Sequence, residues 1–92
     1  MLVVNREKER AKISLRFDLQ NSITILTEQK QQIESLIAAV NAAIEGVPSG
    51  RDTAVIDCCQ RALKNVANAI NALSAGRTYV ERLDIYEEVD DG

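Results

Sequence analysis

Ninety-two residues make one small domain, of a size that buries only about 60–65% of its unfolded surface. The residues are 46% hydrophobic and 27% charged, which argues against wholesale disorder, and the few aromatics (Phe17, Tyr79, Tyr86) leave Ala, Ile, Leu and Val to form the core. The net charge of −3 argues against bulk nucleic-acid binding, because no dominant basic field is present to displace counterions from phosphates.

At the N-terminus, Met1-Leu2-Val3-Val4 is followed at once by Asn5-Arg6-Glu7-Lys8-Glu9-Arg10. A secretory signal places its basic part first and a longer apolar run after it, so none is expected here. No window nears the ~18 consecutive apolar residues of a membrane span. The expectation is a soluble chain made in the cytoplasm, with any export following a route that uses no cleaved signal.

Ile13-Ser14-Leu15-Arg16-Phe17-Asp18-Leu19 alternates apolar and polar residues, as a half-buried strand does. No second convincing strand stands ready to pair with it, and Ile13/Phe17 and Leu15/Leu19 are also i,i+4 pairs, so the segment reads as helix. From there Ile23, Leu26, Ile33, Ile37, Val40 and Ile44 recur at three- and four-residue steps, with Lys30 the one polar interruption. The spacing predicts a helix over about 6–45.

Gly46-Val47-Pro48-Ser49-Gly50 punctuates a turn over 46–52, and Asp52 offers an N-cap for a second helix over about 53–88. Ile56, Cys59, Leu63, Val66, Ile70, Leu73 and Val80 form its stripe, which Gly76-Arg77 weakens enough to allow a kink. Residues 87–92 form an acidic tail. The fold class that results is all-α: an antiparallel two-helix hairpin, a single domain over 1–92. Its ends carry opposite charge, five cations against two anions in residues 1–16 and six anions against one cation in residues 81–92. A turn near Ser49 would set Arg10 beside Glu88 and Lys8 beside Asp90, which favours the antiparallel arrangement.

Two helices bury one seam, and Leu15, Phe17, Ile25, Leu36 and Val55 fall outside it. These five are the candidate partner-binding surface, as in a four-helix bundle built from two hairpins, whether a homodimer or a heterodimer.

The residues of chemistry are sparse. His is absent, so the common general base and the Ser-His and Cys-His nucleophile pairs are missing. Cys58 and Cys59 are adjacent in a helix and read as structural, with Cys59 in the seam. No catalytic residue, cofactor or metal site is expected, and Gly46 and Gly50 punctuate a turn around a proline.

Helical-hairpin architecture near ninety residues and the segment Tyr86-Glu87-Glu88-Val89-Asp90 together resemble the WXG-motif family of type VII secretion proteins. Gly46-Val47-Pro48-Ser49-Gly50 stands where that family has Trp-x-Gly, so the resemblance is to the Trp-less relatives that accompany LXG-type toxins. It implies an export motif of Tyr86 and Asp90, one helical turn apart. It also implies pairing into a four-helix bundle with a related hairpin or with the helical N-terminal domain of an effector. The alternatives are a cytosolic adaptor or antitoxin-like binder with no export role, and RNA binding by the Arg6–Arg16 segment. Glu7 and Glu9 and the overall charge count against RNA.

Overall fold

The computed structural model describes residues 1–44 and 50–90, the first three residues of the second helix by backbone alone. The chain runs through β1 (Leu2–Val4), α1 (Arg6–Ala43), α2 (Gly50–Glu81) and β2 (Tyr86–Glu88). The helices, of 38 and 32 residues, pack antiparallel, so the all-α hairpin expected from the heptad spacing is the fold. Of the turn expected over 46–52, residues 46–49 lie outside the described residues, whereas 50–52 are already helical: α2 starts at Gly50, so Asp52 stands inside the helix and not at the N-cap position expected for it.

α1 starts where the local chemistry directs it. Asn5 is in an extended conformation, and its side-chain oxygen accepts hydrogen bonds from the backbone N–H groups of Glu7 and Lys8 at 3.0 and 3.1 Å. Glu7 and Glu9 place negative charge in the first turn, against the positive end of the helix dipole. The alternating stretch Ile13–Leu19 is helical throughout.

Every residue of the two apolar stripes is half-buried or buried. On α1 the series continues from Leu19 through Ile23, Leu26, Lys30, Ile33, Ile37 and Val40 to Ile44; on α2 it runs from Ile56 through Cys59, Leu63, Val66, Ile70 and Leu73 to Val80. The seam is thin. Val80 is the one buried hydrophobic residue among the described residues, and no residue of α1 is fully buried. α2 is continuous through Gly76, without the break that Gly76-Arg77 allows in the sequence. The molecule is a rod of 81 × 15 × 13 Å. Its radius of gyration, 21.8 Å, compares with about 12 Å for a compact domain of this length.

The C-terminal part departs from the sequence expectation. The second helix ends at Glu81 instead of continuing to about residue 88, and Tyr86–Glu88 pairs antiparallel with Leu2–Val4. The register sets Leu2 opposite Glu88, Val3 opposite Glu87 and Val4 opposite Tyr86. Both strands are too short to carry a period of their own, and each pairs only because the helices bring the two ends of the chain together. Ribbon and helices lie along one axis: 38 helical residues at ~1.5 Å and five extended ones at ~3.3 Å account for most of the rod's length.

Candidate functional site

The open end of the hairpin concentrates its polar chemistry, and Asn5 joins the two kinds of structure there. While its side-chain oxygen caps α1, its Nδ2 donates to Glu87 Oε2 at 3.0 Å and its backbone N–H donates to the Ile85 carbonyl at 2.7 Å. The Val89 N–H donates to the Met1 carbonyl at 2.9 Å, and the Met1 amino group meets Glu88 Oε1 at 2.7 Å. These bonds close the ribbon at both of its ends.

The stop of α2 is also made from across the molecule. Its last turn carries no basic residue. Lys12 of α1 supplies the charge instead, donating from Nζ to the Glu81 carbonyl at 2.8 Å and the Leu83 carbonyl at 3.3 Å. The Leu83 N–H bonds back to the Val80 carbonyl, and Asp84 Oδ1 then accepts the Tyr86 N–H at 2.9 Å, turning the chain into β2. No Gly or Pro marks this stop, so sequence reading missed it; the Asx turn at Asp84 was its one local signal.

Arg16 and Glu81 form a bidentate pair, Nε to Oε1 at 2.5 Å and Nη2 to Oε2 at 2.8 Å, and one turn further on Arg77 donates to Gln20. Both contacts match residue i with about residue 97 − i, close to the register expected from a turn near Ser49. The pairs expected beyond them, Arg10 with Glu88 and Lys8 with Asp90, do not form. The chain has left the helix there and advances about twice as far per residue, so Lys8 Nζ instead approaches the Tyr86 carbonyl at 3.5 Å.

The hydrogen bond from Arg16 holds the Glu81 carboxyl below the usual carboxylate range. Partial desolvation opposes this, and the charges of Arg16, Lys12 and Arg77 assist it. The same bond raises the Arg16 guanidinium. A depressed carboxyl contributes stability above its ordinary pKa and loses that contribution as pH falls through the depressed value. The contribution of Glu81 is therefore expected to fade only on the acid side of the usual carboxylate range. Both side chains are about half exposed, so it is small and screened by salt. The urea midpoint of Glu81→Gln should lie below that of the parent at neutral pH and converge with it in acid. An offset that persists unchanged in acid would contradict this.

Leu15, Phe17, Ile25, Leu36 and Val55 are all exposed. They do not share one surface. Leu15 and Leu36 are 21 residues apart, six turns at 3.5 residues, so they project to the same side of the seam, with Ile25 beyond them. Val55 of α2 falls on that side too. Leu36 there borders a shallow groove with Gln29, Gln32 and Ile33. Phe17 is about 200° from Leu15 around α1 and lies on the opposite side. With Ile13, Arg16, Gln20, Arg77 and Glu81 it lines an open groove of about 520 Å³. Tyr86 stands in β2, half exposed, so the side chains of Tyr86 and Asp90 are not one helical turn apart.

No protein-family model, curated protein or solved structure matches this chain.

Thirteen large hydrophobic side chains are exposed among the described residues, and ten of them lie in residues 1–17 and 79–89. Among the described residues no group of His, Cys, Asp and Glu is arranged to hold a metal ion, and no helix is long and apolar enough to cross a membrane.

Proposed function

We propose that the chain is a helical interaction protein that pairs, through the face carrying Leu15, Ile25, Leu36 and Val55, with a second helical hairpin to complete a four-helix bundle. The observation that carries this reading is the surplus of surface. The accessible area is 7038 Å², against about 5300 Å² for a compact monomer of 10.1 kDa. The difference of roughly 1700 Å² exceeds the ~800 Å² that each partner contributes to a standard protein interface. Exposed leucine, isoleucine and valine along one side of both helices are what such an interface would cover.

The role proposed for this pairing is that of a type VII secretion substrate, or of a targeting partner for a larger LXG-type effector. This part rests on the resemblance in architecture and on Tyr86 and Asp90. Tyr86 in the ribbon and Asp90 just beyond it would offer a non-helical motif to an export receptor.

Two measurements test the two parts separately. Leu36→Ser with Val55→Ser should leave helical content intact and weaken pairing at least tenfold, read by sedimentation with the hairpin or effector domain that co-purifies with the parent. Unchanged pairing would remove the helical face from the reading. Tyr86→Ala or Asp90→Ala should abolish export while folding and pairing persist. A chain that is never exported, yet still pairs, is a cytosolic adaptor.

A further inference from the structure

The two edges of the ribbon differ, and the difference points to a second interface. Asn5 and Met1 bond to Ile85 and Val89, so residues 1, 3 and 5 face β2, and the backbone groups of Leu2 and Val4 turn outward. By the same alternation Tyr86 and Glu88 turn outward from β2. At Tyr86 that outer edge is already taken, the N–H by Asp84 Oδ1 and the carbonyl by Lys8 Nζ. Among the described residues nothing bonds the outward N–H and C=O groups of Leu2 and Val4. No charged side chain, proline or bulge stands on Leu2–Val4, and only the shortness of the strand limits this edge.

We infer that β1 is a self-pairing edge, where a second copy of this chain adds its own β1 antiparallel about a two-fold axis at Val3. The outward groups make the second copy the fitting occupant. A two-fold at Val3 sets Leu2 opposite Val4 of the second copy and Val4 opposite its Leu2. All four outward N–H groups then find the four outward carbonyls, with none left over.

The side chains agree. Leu2 is 67%, Val4 42% and Tyr86 48% exposed. Their register puts them on one face of the ribbon, together with Glu88. In the four-stranded sheet Tyr86, Val4 and Leu2 of both copies would form one continuous apolar face. The Arg6 side chain, which makes no hydrogen bond or ion pair among the described residues, would lie toward the acidic end of the other copy's β2.

This surface is separate from the helical face proposed above, and the shape of the dimer tells the two apart. The ribbon continues the long axis of the rod, and a two-fold reverses the chain direction. Pairing through β1 therefore makes an end-to-end dimer. Two 81 Å rods overlapping by one three-residue strand at ~3.3 Å per residue would span about 150 Å. A side-by-side bundle would stay near the length of one rod.

The test uses the full-length chain at concentrations up to about 1 mM, because a seam of this size belongs to the weak-interface class. Sedimentation should show a dimer, and small-angle scattering should give a maximum dimension near the end-to-end value. Val4→Pro deletes an outward N–H that β2 does not use, so amide protection at Val3 and Glu87 should persist while dimerisation weakens at least tenfold. If Val4→Pro disturbs the ribbon, Val4→Lys places a charge on the same edge and should have the same effect. Four results would overturn the inference: a parent chain that stays monomeric throughout, a dimer no longer than one rod, edge variants that dimerise as tightly as the parent, or an edge that takes a foreign extended peptide and no second copy. A short dimer abolished by Leu36→Ser with Val55→Ser would sink this inference and leave the helical-face pairing standing.

Discussion

Val80→Asp is expected to be the most damaging single substitution, lowering stability by about 3–4 kcal/mol from lost apolar burial and the cost of desolvating a carboxylate. Val80 is 9% exposed, the lowest value among the described hydrophobic residues, and it stands where the helical seam gives way to the ribbon. It occupies the last heptad position of α2, directly before the turn that leads into β2. A domain of this size has about 5–14 kcal/mol in reserve (~0.05–0.15 kcal/mol per residue), so the variant should lose a large share of its stability while still folding in the absence of denaturant. The urea midpoint followed by circular dichroism would fall by about 2 M for a slope near 1.5–2 kcal/mol per M. Tyr79→Asp is the control. Tyr79 is 69% exposed, one residue away in sequence and on the outer side of the helix, and its replacement should stay within about 0.5 kcal/mol. Equal effects at the two positions would mean that the seam does not end at Val80.

Lys30→Leu is expected to act in the opposite direction. Lys30 interrupts an otherwise strict series of apolar positions and is half-buried in the seam, where its stem packs and its ammonium reaches for water. The register of the Arg16–Glu81 and Gln20–Arg77 contacts places it at the level of Val66 and Ala67 of α2, both half-buried. Leucine there should add about 1–2 kcal/mol through apolar burial and removal of a partly desolvated charge. At about 4–8 °C per kcal/mol the melting temperature would rise correspondingly. In coiled coils a polar residue at such a position fixes the register at a cost in stability. Here the ribbon pins the register as well, because a slip of seven residues would separate Leu2–Val4 from Tyr86–Glu88. The gain should therefore come without a change in ribbon pairing, seen as unchanged amide protection at Val3 and Glu87. A variant no more stable than the parent would show that the Lys30 stem already fills the seam.

Much of the fold was legible from spacing alone. The stripes from Ile23 to Ile44 and from Ile56 to Val80 are the seam because each helix is long enough for its own period to be unambiguous, and because an apolar stripe on a soluble helix has to be covered. Opposite charge at the two ends favoured the antiparallel arrangement. The individual ion pairs it suggested failed where the backbone changed its rise per residue. The candidate surface was legible by subtraction: Leu15, Phe17, Ile25, Leu36 and Val55 stand outside the seam and are exposed. That Phe17 faces the other way from Leu15 follows from the helical angle between them, which a list of leftover residues does not contain.

By itself, then, the sequence determined two amphipathic helices, the residues of their seam, the antiparallel sense and an excess of uncovered hydrophobic side chains, because all of these depend on patterns that repeat within one segment. Only the tertiary structure decided how the ends finish. Tyr86-Glu87-Glu88 has no strand signature and Met1–Val4 is too short to show one; each extends only because the other is held beside it, more than eighty residues away in sequence. The stop of α2 at Glu81 has the same origin, since the cation that answers its terminal carbonyls is Lys12 of the other helix. Local periodicity carries no information about such partners, and it is there, at the ribbon and its free edge, that the structure adds a surface that the heptads do not foretell.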